Sequence, residues 1–383
     1  MTPRVKVEAI SKDSFWSSLY RKAGQQRIPV QAMIELTYGC NLRCVHCYNP
    51  THQALGELAT EKIKAILDQL AEQGCLELAF TGGEALTRRD SFEVFTYAKE
   101  KGFAITLFTN ATMITPAIAD QLKALEPKLI EVSIYGATQD TYERVTRIPG
   151  SFPLFMKGVR LLRERGISLL IKMPVMTLNQ QEVQQARDLV HSWGIKFAYC
   201  TEIFPRVDGS LEPLQYRLPP QAVVDLEDAV IGPVRWRAQG GGEQKERCQA
   251  EQGLFACDCG RNSLTVTPYG QMNLCVSLPI PKYDLGTGSV SEGWRTLVNL
   301  VDGANANPGE AYECPTCDLH PHCRQSPMNA WLETEQLEPC LPYFKQLARL
   351  EKTAAATPTP HPVERTGTSG YAQEGRDERK DHH

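Results

Sequence analysis

Three cysteines lie close together near the start of the chain, at Cys40, Cys44 and Cys47. Three thiolates in one short loop can bind three irons of a [4Fe–4S] cube and leave the fourth iron open, whereas a structural metal site is expected to supply four protein ligands. The alternative is a structural zinc site that His46 or His52 completes. The spacing therefore predicts a metal centre in this loop and favours an iron–sulfur cluster.

Most of the other cysteines are clustered as well, among 13 in the whole chain. Clustering of this kind favours metal binding over disulfides. Two further groups of four are Cys248, Cys257, Cys259 and Cys275, and then Cys314, Cys317, Cys323 and Cys340. Cys75 and Cys200 stand alone, and burial in the core is the simpler interpretation of both.

The composition is that of a chain that can bury a core. Of 383 residues, 42% are hydrophobic and 22% are charged, and the formal net charge is −4. Nucleic acids and anionic membranes need a basic protein face, so this balance argues against either as the main partner. No apolar run approaches the roughly 18 residues of a membrane-spanning helix, and no signal-peptide core is present, which predicts a cytoplasmic protein.

Apolar extended runs and amphipathic helical stretches alternate between Met33 and about Phe204. The predicted strands are Met33–Thr37, Leu76–Phe80, Ile105–Thr109, Ile130–Ile134, Leu169–Val175 and Lys196–Thr201. Six β-then-α units predict a parallel sheet with right-handed crossovers, and they are too few for an eight-fold barrel. The expected fold is therefore a partial, open (β/α)6 TIM-like barrel, with ligand sites at the carboxyl ends of its strands.

The domain organisation follows from shifts in composition. We expect an N-terminal extension (1–30), the barrel (31–204), a connector rich in Pro, Arg and Gly (205–247), an irregular cysteine-rich domain held by metal clusters (248–345) and a disordered tail (346–383).

A second motif, Thr81-Gly82-Gly83-Glu84, follows the second predicted strand. Adjacent glycines let the backbone come close to a ligand, although an ordinary strand-to-helix turn would explain this motif on its own. Together with the cysteine triplet one unit earlier, it resembles the radical S-adenosylmethionine (SAM) enzymes. The resemblance covers roughly Met33 to Thr201, with matching motif order and strand placement.

The resemblance implies roles for individual residues. Cys40, Cys44 and Cys47 would bind a [4Fe–4S] cluster whose open iron takes the amino and carboxylate groups of SAM. The other implied SAM contacts are His46 at the adenine, Gly82, Gly83 and Glu84 at the methionine amino end, and Ser133 at the ribose or carboxylate.

Several further positions have an ordinary structural interpretation beside the implied one. The family often has Asp where Tyr135 stands, which weakens the analogy around Ser133. Arg144 or Arg147 could pair with the SAM carboxylate, or either could be a solvated helix arginine. Asn110, after the third strand, and Lys172, on the fifth, face the carboxyl end or the interior of the barrel, and Asn110 is a predicted cofactor-binding residue. The alternatives are an ordinary turn residue and a strand-end charge.

The C-terminal cysteines resemble the SPASM extension of peptide-modifying radical SAM enzymes, which carries two auxiliary Fe–S clusters. A Gly-x4-Cys hairpin ends at Cys275, and a Cys-x2-Cys-x5-Cys run begins at Cys314. One departure is Pro327, which stands where the family usually has a cysteine of the first auxiliary cluster. Cys248 and Cys257 offer a replacement, so one or two auxiliary clusters are expected. Zinc ribbons, with His320 or His322 as further ligands, are the alternative.

The combined resemblance implies reductive cleavage of SAM to a 5′-deoxyadenosyl radical, which takes hydrogen from a peptide or protein substrate. A separate leader-peptide-binding protein and a reductant such as flavodoxin or ferredoxin are the expected partners. Alternatives are a radical SAM step on a partner enzyme or a small molecule in cofactor synthesis, and a non-catalytic Fe–S or zinc scaffold or electron carrier.

Cys200 offers a hypothesis about the type of reaction. Alternation along the sixth predicted strand places Lys196, Ala198 and Cys200 on one face, which we expect to face the barrel interior. A thiol there could donate a hydrogen atom to a substrate radical, and core packing is the alternative.

Overall fold

The structure is a computed structural model that describes residues 12–231 and 253–356. Cys248, a predicted metal ligand, lies outside the described residues. No helix within these ranges is long and apolar enough to cross a membrane.

Nine strands form one continuous sheet. They are β1 (Gln31–Thr37), β2 (Glu77–Gly82), β3 (Ala104–Thr109), β4 (Leu129–Ser133), β5 (Leu169–Pro174), β6 (Lys196–Cys200), β7 (Ser263–Val266), β8 (Gln271–Asn273) and β9 (Tyr283–Asp284). The spatial order is β6-β5-β4-β3-β2-β1-β7-β8-β9, so the sheet is open. Strands β1 to β6 are parallel neighbours in chain order, which confirms the expected partial barrel.

Helices follow the strands as the alternating pattern predicted. The described helices are α1 (Lys12–Gln26), α2 (Thr60–Glu72), α3 (Ser91–Glu100), α4 (Pro116–Leu125), α5 (Gln139–Thr146), α6 (Ser151–Glu164), α7 (Val183–Ser192), α8 (Pro220–Ile231), α9 (Val290–Ala306), α10 (Pro327–Thr334) and α11 (Pro342–Ala356). Short 3₁₀ turns, among them Ala85–Thr87 and Cys314–Thr316, connect some of them.

The cysteine-rich segment is more regular than its sequence indicated. Strand β7 pairs in parallel with β1, with Met33 opposite Thr265, and β8 and β9 continue the same sheet in antiparallel fashion. Apolar residues of this segment, such as Val266 and Leu297, are buried in the same core as the barrel. The segment is therefore held by sheet pairing and apolar burial as well as by any metal.

The boundary expected at residue 346 is wrong for the first part of the tail. Residues 346–356 belong to α11, where Leu347, Ala348 and Glu351 are buried. The prediction of disorder rested on the polar composition of the residues that follow this helix. The expected extension and connector likewise contain α1 and α8.

The two faces of the barrel sheet differ in chemistry. The face against the helices is apolar: Ile34 and Leu36 lie beside Ile63 and Leu67 of α2. On the opposite, inner face the register aligns polar residues, with Glu35 opposite Thr81, Ser133 opposite Lys172, and Lys172 opposite Ala198. The inner face is therefore the one able to bind a polar ligand.

A buried ionic cluster joins the end of the barrel to the cysteine-rich segment. The Arg324 guanidinium contacts Glu227 of α8 through two hydrogen bonds, of 2.7 and 2.6 Å, and contacts Glu351 of α11 at 2.6 Å. All three side chains are at most 8% exposed. Removing one partner from such a buried cluster leaves an uncompensated charge, which costs more than the ion pair contributes.

We expect Arg324→Met to lower the free energy of unfolding by about 3–5 kcal/mol, because it leaves two buried carboxylates without their cation. The matched control is Lys352→Met, which removes the exposed 2.6 Å pair with Asp318 and should leave stability nearly unchanged. Urea unfolding of the reconstituted proteins measures both values. Equal stability of the two variants would contradict this account.

Candidate functional site

The three-cysteine loop lies at the carboxyl edge of the sheet, directly after β1. Helix α5 holds its backbone in place, because the N–H groups of Arg43 and Val45 donate to carbonyls of α5 at 3.0 Å each. Burial raises the pKa of Cys40 to about 12 and that of Cys47 to about 11, and it raises the pKa of Cys44 well above its usual value. Cys47 also acts electrostatically on Cys40 and on Cys44, and Cys40 acts on Cys44. Three half-buried thiols in one short loop suit one shared metal cluster, which would keep them deprotonated.

The Gly82–Gly83 turn docks onto this loop through the backbone. The Gly83 N–H donates to the Thr37 carbonyl at 2.6 Å, and the Glu84 N–H donates to the Gly39 carbonyl at 2.8 Å. A Cβ at Gly82 or Gly83 would meet those carbonyl oxygens well inside 3.0 Å, and Gly82 also has a φ of +126°. The glycines are therefore required for contact with the cysteine loop, whatever else they bind.

The Glu84 carboxylate is engaged with the end of β3. It accepts hydrogen bonds from the Thr109 hydroxyl at 2.9 and 3.0 Å, from the Asn110 N–H at 2.8 Å and from the Leu86 N–H at 3.2 Å. At 1% exposure it ties the second strand end to the third. Its contact with SAM stays a prediction beside this positioning role.

Asn110 reaches the cysteine loop from the third strand end. Its side-chain amide donates to Asn41 at 3.0 Å, and Asn41 in turn donates to Thr112 at 2.7 Å. Asn110 is 6% exposed, so this network lies beneath the loop. The network positions the stretch between Cys40 and Cys44.

Ser133 and Lys172 lie side by side on the inner face, at the ends of β4 and β5. Lys172 is 3.5 Å from the Glu131 carboxylate. Arg144 lies apart from them: it donates to the Leu178 carbonyl at 2.9 Å, and its side chain is half exposed. This placement is that of a surface helix arginine.

His46 packs at the back of the loop against an aromatic ladder. Its ring centroid is 5.4 Å from that of Tyr135, and Tyr135 is 5.4 Å from Tyr142 of α5. Burial lowers the pKa of His46 to about 4, and its Nδ1 has no hydrogen-bond partner among the described residues. A neutral imidazole with an unused nitrogen suits the predicted position beside a purine ring.

Sequence reasoning missed Glu35, which lies on the inner face of β1 at 1% exposure. Its carboxyl accepts from the Tyr48 hydroxyl at 2.9 Å and from the Tyr38 hydroxyl at 3.5 Å, and burial raises its pKa to about 8. Glu35 also acts electrostatically on Cys47 and on Cys275. The available signal was a lone carboxylate inside an apolar strand.

Three of the four cysteines of the second group come together. Cys259 forms thiol hydrogen bonds with both Cys257 and Cys275, which lower the pKa of the latter two and raise that of Cys259. Cys275 lies just beyond β8, so the hairpin carries this group to the edge of β1. These thiols fit a metal cluster, and the proposed ligand Cys248 lies outside the described residues.

The third cysteine group forms a separate site. Burial raises the pKa of Cys314 to about 11, and Cys323, Cys340 and Cys317 add to the rise as neighbouring thiols. Pro327, by contrast, is the buried first residue of α10 and contributes no ligand. Within the described ranges, no three Cys, His, Asp or Glu side chains converge as they would around one metal ion. Such convergence belongs to a mononuclear site, whereas each thiol of a four-iron cube binds a different iron.

The two isolated cysteines differ in their surroundings. Cys75 is 5% exposed and its sulfur contacts the carbonyls of Val30 and Glu77, in agreement with a core role. Cys200 lies at the end of β6, in the same strand pairing as Lys172 and Pro174. Burial raises its pKa to about 11, so it keeps its proton.

Comparison with known proteins agrees with this geometry. Residues 34–190 match the family model of the Radical SAM superfamily. AdoMet-dependent heme synthase from Methanosarcina barkeri is 36% identical over 162 residues, which are 42% of this chain and 46% of that protein. Mycofactocin maturase MftC from Mycobacterium tuberculosis is 26% identical over 319 residues, or 79% of each chain. The chain thus spans less than half the length of the heme synthase.

Solved structures share the fold across most of the chain. Streptococcus suis SuiB bound to S-adenosylmethionine superposes with a TM-score of 0.66 at 14% identity, over 88% of this chain and 84% of SuiB. SuiB bound to its precursor peptide SuiA gives the same TM-score at 13% identity, over 90% and 84% of the two chains. The radical SAM family uses a [4Fe–4S] cluster and SAM, and SPASM-type relatives carry auxiliary clusters.

We expect Gly83→Ala to displace the cysteine loop, because its Cβ would collide with the Gly39 carbonyl. The variant should lose about four irons per chain on anaerobic reconstitution, which an iron assay measures. The matched control is Gly303→Ala, which adds a methyl to α9 in open space. Full iron content in Gly83→Ala would show that the close approach is dispensable.

Proposed function

Because residues 34–190 form a radical SAM domain, we propose that this protein is an enzyme that uses SAM to take hydrogen from a peptide or protein substrate. When bound, the reduced cluster and SAM supply a 5′-deoxyadenosyl radical. The chain's own residues bind these groups, orient the substrate and exclude water.

The observation that carries this proposal is the continuous sheet. Strand β7 pairs directly with β1, and the turn of its hairpin lies beside the cysteine loop, with the Tyr269 ring 5.4 Å from that of Tyr38, while β8 leads back along the sheet to Cys275. Glu35, on the inner face of β1, acts electrostatically on both Cys47 and Cys275. A primary and an auxiliary thiol group beside one inner face suit the oxidation of a substrate held on that face.

The charge of the inner face favours a peptide over a porphyrin. The inward residues of β1 to β6 include the carboxylates Glu35, Glu77 and Glu131 and the cations Lys172 and Lys196, with Glu77 and Lys196 both at the far, amino end. A porphyrin carries anionic propionates, which need several cations near the site. A peptide backbone is neutral and needs no such cations.

The extent of the similarity points the same way. The heme synthase matches only the barrel-sized segment, whereas mycofactocin maturase matches 79% of each chain. SuiB, crystallised with its precursor peptide, shares the fold over 90% of this chain. The higher identity to heme synthase keeps a cofactor-synthesis step as the second candidate. A porphyrin substrate converted by the purified enzyme would establish it instead.

The remaining proposals concern cofactors and partners. We propose that Cys257, Cys259 and Cys275, with Cys248, hold one auxiliary cluster, and that the group from Cys314 to Cys340 holds another. A separate leader-binding protein would present the peptide, and flavodoxin or ferredoxin would supply electrons. The twelve described cysteines are all free of disulfides, which suits a reducing cytoplasm.

Changing Cys40, Cys44 and Cys47 together to Ala should remove about four irons per chain and abolish 5′-deoxyadenosine formation, because these thiolates would hold the SAM-binding cluster. Iron at the auxiliary sites should remain and serves as the internal control. Chromatography of SAM incubations with a strong reductant measures the product. Retained SAM cleavage would show that these cysteines do not hold the SAM-cleaving cluster, and an unaltered protein that never cleaves SAM would support the non-catalytic scaffold.

Cys200 is proposed as a hydrogen donor if the reaction inverts a residue. Its buried, protonated thiol would give a hydrogen atom to a substrate Cα radical, and the resulting thiyl radical would take back one electron and one proton, with the electron from the ferredoxin-type reductant. Cys200→Ala should then still form 5′-deoxyadenosine but lose the D-residue by more than about tenfold, which chiral amino-acid analysis measures. Cys75→Ala, at the other isolated thiol, is the control. An unchanged product in Cys200→Ala would contradict this role and leave core packing as the interpretation of Cys200.

A further inference from the structure

The turn that follows β4 is held by side chains from the connection between β5 and α7. The Tyr135 carbonyl accepts from the Asn179 amide at 3.1 Å, and the same amide donates to the Pro174 carbonyl at 2.9 Å. The Asn179 side-chain oxygen accepts from the Met176 N–H at 2.8 Å, and this residue is 1% exposed. Asn179 therefore joins the backbones of two neighbouring connections at the carboxyl edge of the sheet.

Glu182, three residues further along, accepts four hydrogen bonds from the start of α5. One carboxylate oxygen accepts from the N–H groups of Ala137 and Thr138, at 2.7 and 3.1 Å. The other oxygen accepts from the hydroxyls of Thr138 and Thr141, at 2.8 and 2.6 Å. Burial raises the pKa of Glu182, but these hydrogen bonds outweigh burial and bring the pKa below its usual value. The group is therefore an ionised carboxylate, and such acceptors form stronger hydrogen bonds than neutral ones.

Helix α5 connects Glu182 to the cysteine loop. Its amino end is held by Glu182, and two carbonyls near its carboxyl end accept from the N–H groups of Arg43 and Val45 at 3.0 Å each. Between these ends, Tyr142 is fully buried and packs against Phe155 of α6 at 5.1 Å. Because α5 has only eight residues and is packed along its length, a displacement of its amino end would also displace the loop.

The same turn also contacts the cysteine loop directly. The Tyr135 ring lies 5.4 Å from the ring of His46 and 5.4 Å from that of Tyr142. Tilted contacts at these separations are favourable between aromatic rings. Ser133, at the end of β4, immediately precedes the turn. The segment that Glu182 holds is therefore connected to two predicted SAM contacts, Ser133 and His46.

We propose that Glu182 is a positioning residue that fixes the amino end of α5 and thereby keeps the contacts of the SAM site in place. The inference rests on the proposed function only in taking the region around Ser133 and His46 as the SAM site. Without the carboxylate, the Ala137 and Thr138 N–H groups lose their acceptor, and the turn gains freedom that SAM binding must then remove. Affinity for SAM therefore falls, whereas the cysteines still bind iron and bound SAM still reacts.

The chain provides matched variants for this test. Glu182→Ala removes all four hydrogen bonds. Glu182→Gln keeps an oxygen for the two N–H groups and adds an amide that can donate to the two hydroxyls, since a hydroxyl both donates and accepts. Glu143→Ala is the control on α5 itself, because the Glu143 carboxylate accepts from the Phe152 N–H of α6 at 3.4 Å and not from the turn.

The experiment measures SAM affinity and needs no peptide. Equilibrium dialysis of labelled SAM uses the full-length, anaerobically reconstituted protein with its clusters oxidised, so that SAM binds without being cleaved. We expect Glu182→Ala to raise the SAM dissociation constant about tenfold at unchanged iron content, and Glu182→Gln and Glu143→Ala to stay within about threefold of the unaltered protein. After reduction, 5′-deoxyadenosine formation at saturating SAM should be unchanged in all variants. A general loss of stability would instead lower iron content and rate together.

An unaltered SAM dissociation constant in Glu182→Ala would overturn the proposal, and so would an equal rise in Glu182→Gln or Glu143→Ala. If Glu182→Ala fails to fold or to bind iron, Thr141→Val is the second test, because it removes one of the four donors and keeps the shape of the side chain. It should raise the dissociation constant by less than tenfold, and no rise would overturn the proposal. Failure of the unaltered protein to bind SAM would contradict the proposed function instead, so the two proposals can fail separately.

Discussion

The backbone contact between the cysteine loop and the Gly82–Gly83 turn is the constraint on which the rest of the site depends. Two hydrogen bonds, of 2.6 and 2.8 Å, join these segments, and a side chain at either glycine would collide with the carbonyls of the loop. Glu84 extends the constraint to β3 through the Thr109 hydroxyl and the Asn110 N–H. Three successive strand ends are thus fixed to one another by the chain's own hydrogen bonds, and these bonds position the cysteine loop.

The same sheet carries the auxiliary thiols. Since β7 pairs with β1, the position of Cys275 relative to the primary loop is set by backbone hydrogen bonds and apolar burial. The third group, around Cys323, is fixed differently, through the buried contacts of Arg324 with two helices. One thiol group is thus anchored to the barrel by a sheet and the other by an ionic cluster.

The inner face combines burial with charge, which is costly unless each charged group has a partner. Glu131 has Lys172 at 3.5 Å, and Glu35 has two tyrosine hydroxyls. Burial raises the pKa of Glu35 to about 8, which is near neutral pH, so this carboxyl could either accept or release a proton there. This carboxyl acts electrostatically on one thiol of the primary group, Cys47, and on one of the second group, Cys275.

The sequence by itself determined the six β/α units, the cysteine groups and the glycine turn, because each is written in local periodicity or spacing. It did not determine that β7 pairs with β1 or that Tyr48 donates to Glu35. Each of these contacts joins two segments, and the local pattern of one segment does not indicate which other segment it will contact. Helix α11 was not predicted for a related reason: only the tertiary structure shows that its apolar residues, such as Leu347, are buried in the core. Tyr135 shows the difference most clearly. In the sequence it was a departure from a family pattern, and only the tertiary structure, by bringing β4, α5 and the cysteine loop together, placed its ring in contact with both His46 and Tyr142.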